Sequence, residues 1–139
     1  MLQDHLKYLL QHPDICFEPP LNGNYIEVND AATHETLAWV KSLDREAVEQ
    51  AIARSQAAQV GWKAQTALQR ADVLWAWYNL MQQNKEQLAQ ILTAEQGKPL
   101  AEARGEIAYA ASFIRWFAEQ ARRIDGEVLT PTLAHQRLL

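Results

Sequence analysis

The stretch Thr93-Ala94-Glu95-Gln96-Gly97-Lys98-Pro99-Leu100-Ala101-Glu102 punctuates this chain more sharply than any other. A glycine directly after a helical pattern accepts the left-handed backbone that ends a helix. A proline two residues on has no amide to donate and a φ already suited to a helix's first turn. The chain must therefore turn between two helices here, since proline inside one continuous helix would delete a hydrogen bond and clash with the preceding turn.

Outward from that joint the spacing of apolar residues predicts four helices, over residues 44–60, 66–83, 85–96 and 99–123. Asp44 is placed to cap the first, which carries Ala47, Val48, Ala51, Ile52 and Ser55 on one face. Gly61 is expected to end it and leave Trp62 anchoring the turn against the core. The second opens on Thr66-Ala67-Leu68-Gln69, a capping box in which each end's side chain satisfies the other's amide. Ala71, Leu74, Trp75, Tyr78 and Met81 form its face, widened by Trp77 and Leu80, so it should touch partners on two sides. Asn84 with Gln87 offers a cap for the third, whose inner stripe is Leu88, Ile91 and Leu92. The fourth carries Ile107, Ala110, Ala111, Ile114, Phe117, Ala118 and Ala121, with Gly126 beyond it. Its alanines and Gly105 permit close backbone approach, the mark of a helix packed inside a larger body.

Before the helices, Tyr25-Ile26-Glu27-Val28 and Thr36-Leu37-Ala38-Trp39-Val40 are short β-rich runs separated by polar residues, which suits a hairpin with a longer loop. Pro13, Pro19, Pro20 and Asn22-Gly23 make what precedes it an extended connector. The expected division is an irregular segment 1–24, a hairpin plus four-helix body 25–127, and the start of a strand at 128–139.

Composition excludes several functions. A formal net charge of -4, with both signs interleaved along the helices, gives no basic face for nucleic acid. No run approaches membrane-spanning length, and the opening residues are too polar for a signal peptide. The default expectation is a cytoplasmic protein. Cys16 is the lone cysteine and its nearest charges are carboxylates, so it is neither a disulfide partner nor an activated nucleophile. His5, His12, His34 and His135 lack metal-ligand spacing and are expected at the surface.

The run Thr93 to Ile107, with Ala108-Tyr109-Ala110-Ala111-Ser112-Phe113-Ile114-Arg115-Trp116-Phe117-Ala118-Glu119 after it, resembles the aldehyde dehydrogenase superfamily, and most closely its NAD(P)-dependent succinate-semialdehyde dehydrogenases. The likeness reaches back, more loosely, to about Val28, where the family's Asn-Pro turn is replaced by Asp30-Ala31. It implies a mainly α fold with a short N-terminal hairpin, an incomplete N-terminal part of the α/β cofactor-binding domain. It also implies oxidation of an aldehyde to a carboxylate: a cysteine thiolate attacks the carbonyl, hydride passes to NAD or NADP, and water hydrolyses the thioester. The family's catalytic cysteine, general-base glutamate and cofactor loops lie beyond Leu139, so no catalytic or cofactor-binding residue is assigned, and no cofactor is expected on this chain alone. By position, Glu95 matches an acid that in some members holds a monovalent cation together with oxygens near Asn29. Glu106, Tyr109 and Phe113 match a helix face that lines the substrate tunnel. The implied partners are the remainder of the dehydrogenase fold or a second copy, with a small aldehyde as the whole enzyme's substrate. A non-enzymatic helical interaction module built on the same portion of the fold is the alternative. Arg104, Arg115, Arg122 and Arg123 are expected to pair with Glu102, Glu106, Glu119 or Asp125 on solvated faces.

Overall fold

The structure, a computed structural model, describes residues 4–126; the strand expected at 128–139 lies outside them. A short helix α1 (Asp4–Lys7) runs into a 3-10 turn at Tyr8–Leu10. Three strands follow, β1 (Ile15–Cys16), β2 (Tyr25–Asn29) and β3 (Thr36–Lys41), and then four longer helices, α2 (Arg45–Ala64), α3 (Ala67–Gln83), α4 (Lys85–Gln96) and α5 (Leu100–Gln120). The sheet is antiparallel in the order β1-β3-β2. The segment expected to be irregular therefore supplies a third strand. Two residues are too few to show alternation, and Ile15 and Cys16 are held by pairing with Val40 and Trp39.

The hairpin loop is tied by Asp30, whose carboxylate Oδ1 accepts from the amides of Ala32 and Thr33, both at 2.9 Å. This Asx-type bonding takes the place of a proline's fixed φ. His34 closes the loop in the left-handed region at φ 62°, where Gly or Asn is commoner. Leu6 and Leu37 form the centre of a small core, packed round by Leu10, Phe17, Val28, Ile91 and Ala94. The sheet thus rests on α4.

Local signals place the long helices well. Asp44 Oδ1 accepts from the Ala47 amide at 2.8 Å, and the Thr66–Gln69 capping box is formed in both directions. Gly97 ends α4 at φ 75°, its amide donating to the Thr93 carbonyl at 2.7 Å.

Four details depart from the sequence reading. Helix α2 does not stop at Gly61. An interior glycine costs a helix only about 1 kcal/mol, so hydrogen bonding runs on to Ala64 and ends where the Thr66 capping box demands extended backbone at Gln65. Trp62 is consequently part of α2, 38% exposed, rather than a turn anchor in the core. Asn84 does not cap α4. Its amide donates back to the Leu80 carbonyl at 2.8 Å and its oxygen accepts from the Tyr8 hydroxyl at 2.7 Å, closing α3 and pinning the N-terminal turn. Arg104 reaches neither Glu102 nor Glu106 but grips Glu86 on α4, with Nε and one terminal nitrogen each 2.7 Å from a carboxylate oxygen. Finally, Phe117 lies outside the inner face of α5, which is made of smaller residues.

That inner face decides the packing. Ala103, Ala111 and Ala118 on α5 have no exposed surface, and neither does Ala89 on α4; Ala71 on α3 is 1% exposed. Helix α5 lies against both α3 and α4. With methyl groups at the seams the backbones approach closely, at the expense of the larger apolar burial that leucine would bring at roughly 25 cal/mol per Å².

Candidate functional site

A helix turns roughly 100° per residue. From Ala111 that rotation puts Tyr109, Phe113 and Trp116 on the opposite side of α5, facing away from α3 and α4. These three and Phe117 are between 48% and 65% exposed. Tyr109 and Phe113 meet edge to face, ring centroids 4.8 Å apart at 76°, a geometry favoured by the ring quadrupoles. They border a shallow groove of about 410 Å³ lined also by Ser112, Arg115, Trp116, Phe117 and Glu119. Arg115 lies 3.8 Å from Glu119, so the groove has an apolar floor and a charge-balanced rim.

Of the three residues expected to form a tunnel face, Tyr109 and Phe113 are in direct contact and Glu106 is one turn before Tyr109. Glu106 is not free to face a substrate alone, because the Lys98 ammonium pairs with its carboxylate across the Gly97-Lys98-Pro99 joint. The sequence reading did not include Trp116, although its spacing of three from Phe113 and seven from Tyr109 was the signal that puts it on this face.

Asn29 and Glu95 come to one corner of the molecule. The Ala31 amide donates to the Ala94 carbonyl at 3.0 Å, fastening the loop after β2 to the last turn of α4. Glu95 stands beside a cavity of about 120 Å³ between sheet and α4, otherwise walled by Leu10, Ile15, Val28, Leu37, Ala38, Val40 and Ile91. Glu95 is exposed, and Asn29, the last residue of β2, is exposed as well. The Ala94 carbonyl already accepts one hydrogen bond. Among the described residues no group of three or more His, Cys, Asp or Glu side chains gathers in a metal-binding arrangement.

Two carboxylates are shifted downward by local bonding. Asp30 is held below the usual carboxylate range by the Thr33 and then the Ala32 amide. Glu86 is lowered by its hydrogen bonds from Arg104, whose own pKa is raised in return. Both belong to the framework. Cys16 is half-buried in β1, and it raises the pKa of the Tyr25 phenol through a side-chain hydrogen bond.

The described residues do not form the turn that cradles a dinucleotide. Such a cofactor sits where a glycine-rich turn leads from a parallel strand into a helix N-terminus. Here the described sheet is antiparallel, and the link from β3 into α2 is Ser42-Leu43-Asp44, without glycine. No step of an oxidation is built from these residues.

The sequence that builds this alanine-seamed helix and the small antiparallel sheet matches the Aldehyde dehydrogenase family over residues 19–138, and the chain belongs to that family. It is 44% identical over 118 residues to the NADP-dependent succinate-semialdehyde dehydrogenase of Escherichia coli K12, covering 85% of this chain and 24% of that protein. A glutarate-semialdehyde dehydrogenase of Pseudomonas putida is 45% identical over 118 residues, again 85% of this chain and 25% of the relative. The crystal structure of a succinate-semialdehyde dehydrogenase from Burkholderia pseudomallei superposes with a TM-score of 0.80 at 41% identity, covering 99% of this chain and 28% of that one. The chain thus spans about a quarter of the length of the relatives it matches. No helix among the described residues is long and apolar enough to cross a membrane.

Proposed function

We propose that this chain is the N-terminal portion of an NAD(P)-dependent dehydrogenase acting on an ω-semialdehyde of the succinate type, and that it performs no oxidation by itself. The observation that supports this reading is the 44% identity to an enzyme of that specificity over 118 residues, combined with a sheet that offers no dinucleotide turn. Nucleophile, general base and NAD or NADP belong, on this reading, to the part of the fold outside residues 1–139, in a cytoplasmic enzyme. The 25–127 body carries the framework, and the oligomerisation strand expected at 128–139 lies outside the described residues. The contribution of the body to substrate binding is the outer face of α5. Tyr109 and Phe113, already locked edge to face, form an apolar tunnel wall, and Glu106, neutralised by Lys98, keeps its charge from repelling a carboxylate-bearing substrate. Glu95 and the Asn29 corner hold a monovalent cation that stiffens the loop against α4.

Calorimetric titration of residues 1–139 with NADP and NAD tests the first part: no saturable heat is expected, and binding near micromolar would overturn it. The tunnel assignment is tested in a hybrid enzyme whose N-terminal segment is replaced by residues 1–138 of this chain. There Phe113→Ala is expected to raise KM for succinate semialdehyde several-fold with little change in kcat, and an unchanged KM sinks the assignment.

A further inference from the structure

The sheet has two faces, and one of them rests on α4. Cross-strand partners share a face, so Ile15, Val28, Ala38 and Val40 look toward the cavity beside α4, while Cys16, Glu27 and Trp39 belong to the reverse side. The register shifts between Val28 and Asn29. Val28 pairs with Ala38 and Asn29 with Thr36, which leaves Leu37 as the extra residue of a bulge. A bulge re-aims the side chains around it. Leu37 and its neighbour Ala38 are consequently both buried, and Thr36 emerges on the reverse side, where its hydroxyl donates to the Glu27 carboxylate.

On that reverse side a groove of about 590 Å³ opens between Trp39 of β3, the Phe17-Glu18-Pro19 segment that leaves β1, and His34 and Glu35 at the end of the hairpin loop. The volume is that of a small-molecule site. Its chemistry is one-sided, with two aromatic side chains, two carboxylates and an imidazole, and neither lysine nor arginine in the lining. An anion would meet carboxylates here, and Pro19 and Pro20 have no backbone amide to offer it. A cation is already drawn to this corner: the Lys7 ammonium stands 5.4 Å from the centroid of the Phe17 ring, within the range over which an aromatic face attracts positive charge. Trp39 presents the stronger face of the same kind, and it is half-buried, so a charge against it is partly shielded from water. We propose that this groove binds a small organic cation, an ammonium or guanidinium on a short alkyl stem. The charge sits between the Glu18 carboxylate and the Trp39 ring, and the stem lies along Phe17 and Pro19. Glu35 has an interaction of its own, so it strengthens the local field and Glu18 makes the contact. The site uses no residue of α5 and none of the Glu95 corner, and it stands independently of the function proposed above.

The test is a nuclear magnetic resonance titration of the nitrogen-labelled full chain with four probes: butylguanidinium, butylammonium, neutral butanol and anionic pentanoate. The chain has five tryptophans, and Trp39→Phe identifies the Trp39 indole signal by its loss. Saturable shifts at the Trp39 indole and the Glu18 amide are expected with both cations in the millimolar range. Butanol should bind about tenfold more weakly, having neither the ring contact of a cation nor its pairing with a carboxylate. Glu18→Gln is expected to weaken the cations about threefold, the size of a solvated ion pair. Trp39→Leu, read at the Glu18 amide, should weaken them about tenfold, and Trp39→Phe, which keeps a ring, should recover most of that loss. Circular dichroism reports whether Trp39→Leu keeps its fold. If it does not, Glu18→Gln decides, because Glu18 is exposed and its replacement leaves the packing intact. The proposal is overturned by butanol or pentanoate binding as tightly as the cations, by the absence of any saturable shift, or by cation affinities that Glu18→Gln leaves unchanged. A guanidinium carried by a protein is the other source of the same chemistry. N-acetylarginine amide binding no tighter than butylguanidinium supports the small-molecule assignment, and far tighter binding by it overturns that assignment.

Discussion

Helices α2 and α5 are of similar length, 20 and 21 residues, and differ in everything that follows from neighbours. Helix α2 has the better start, an aspartate cap and an Arg45–Glu49 pair at 2.8 Å, yet not one of its residues is buried. Helix α5 has no side-chain cap at all and lies between α3 and α4 with three alanines sealed. Capping and spacing therefore specify where a helix forms, while burial depends on what else is present to cover it. In α2 the local terms act almost alone. In α5 tertiary packing dominates.

The strongest way to break that comparison is to enlarge a methyl on each helix. Ala111→Leu is expected to destabilise the chain by about 1–3 kcal/mol, because there is no room at the α5 seam, whereas Ala51→Leu on α2 should stay within about 0.5 kcal/mol. Urea denaturation measures both, and equal effects would mean that α2 packs as α5 does. Next in size is Thr66→Ala, expected to cost about 1 kcal/mol through loss of the capping box and to show as lowered helicity and an earlier urea midpoint. A paired glycine experiment sharpens the point. Gly97→Ala forces a left-handed residue and sets a new Cβ 3.1 Å from the Ala31 Cβ, so a loss of about 1 kcal/mol is expected. Gly61→Ala meets no atom within 4 Å and sits in mid-helix, so a gain of about 0.5–1 kcal/mol is expected. Matching signs would refute the helical placement of Gly61.

The smallest effect is a pH dependence of the hairpin loop. The Asp30 carboxyl has a folded pKa below its unfolded value, so its contribution is complete above the ordinary carboxylate range and is lost as pH falls through the depressed value. Amide exchange at Ala32 and Thr33 should accelerate over that acid window after correction for intrinsic rates, and Asp30→Ala should remove the step.

Much of the fold was legible because its signals are local. The glycine-lysine-proline joint, the Thr66 box and the β-rich composition of β2 and β3 each work within a few residues, and each element appears where they place it. What was not legible depends on distant partners. Asn84 looks like an N-cap until Tyr8, 76 residues away, offers its hydroxyl. Arg104 has acids on its own helix, yet the bidentate grip on Glu86 wins because two parallel hydrogen bonds outweigh one solvated pair. Strand β1 exists only because β3 has a free edge. For the candidate site, spacing put Glu106, Tyr109 and Phe113 on one face. It could not reveal that Lys98 engages Glu106 or that the face turns outward, since both depend on where α3, α4 and the Gly97 turn come to rest.

Leu6 is the most deeply buried leucine of the described residues, and it stands before position 19, where the family match begins. The stretch matched by the family model and the stretch that folds as a unit are thus different lengths of chain, and a relative's structure follows this one over 99% of it. The shared part contributes Leu37, Val28 and Ile91 as three walls of a small apolar room; the preceding residues bring the fourth wall and, through Ile15 and Cys16, the selvage of the sheet. Trimming this protein to its recognisable portion would open that room to water, although every residue that identifies the family had been kept.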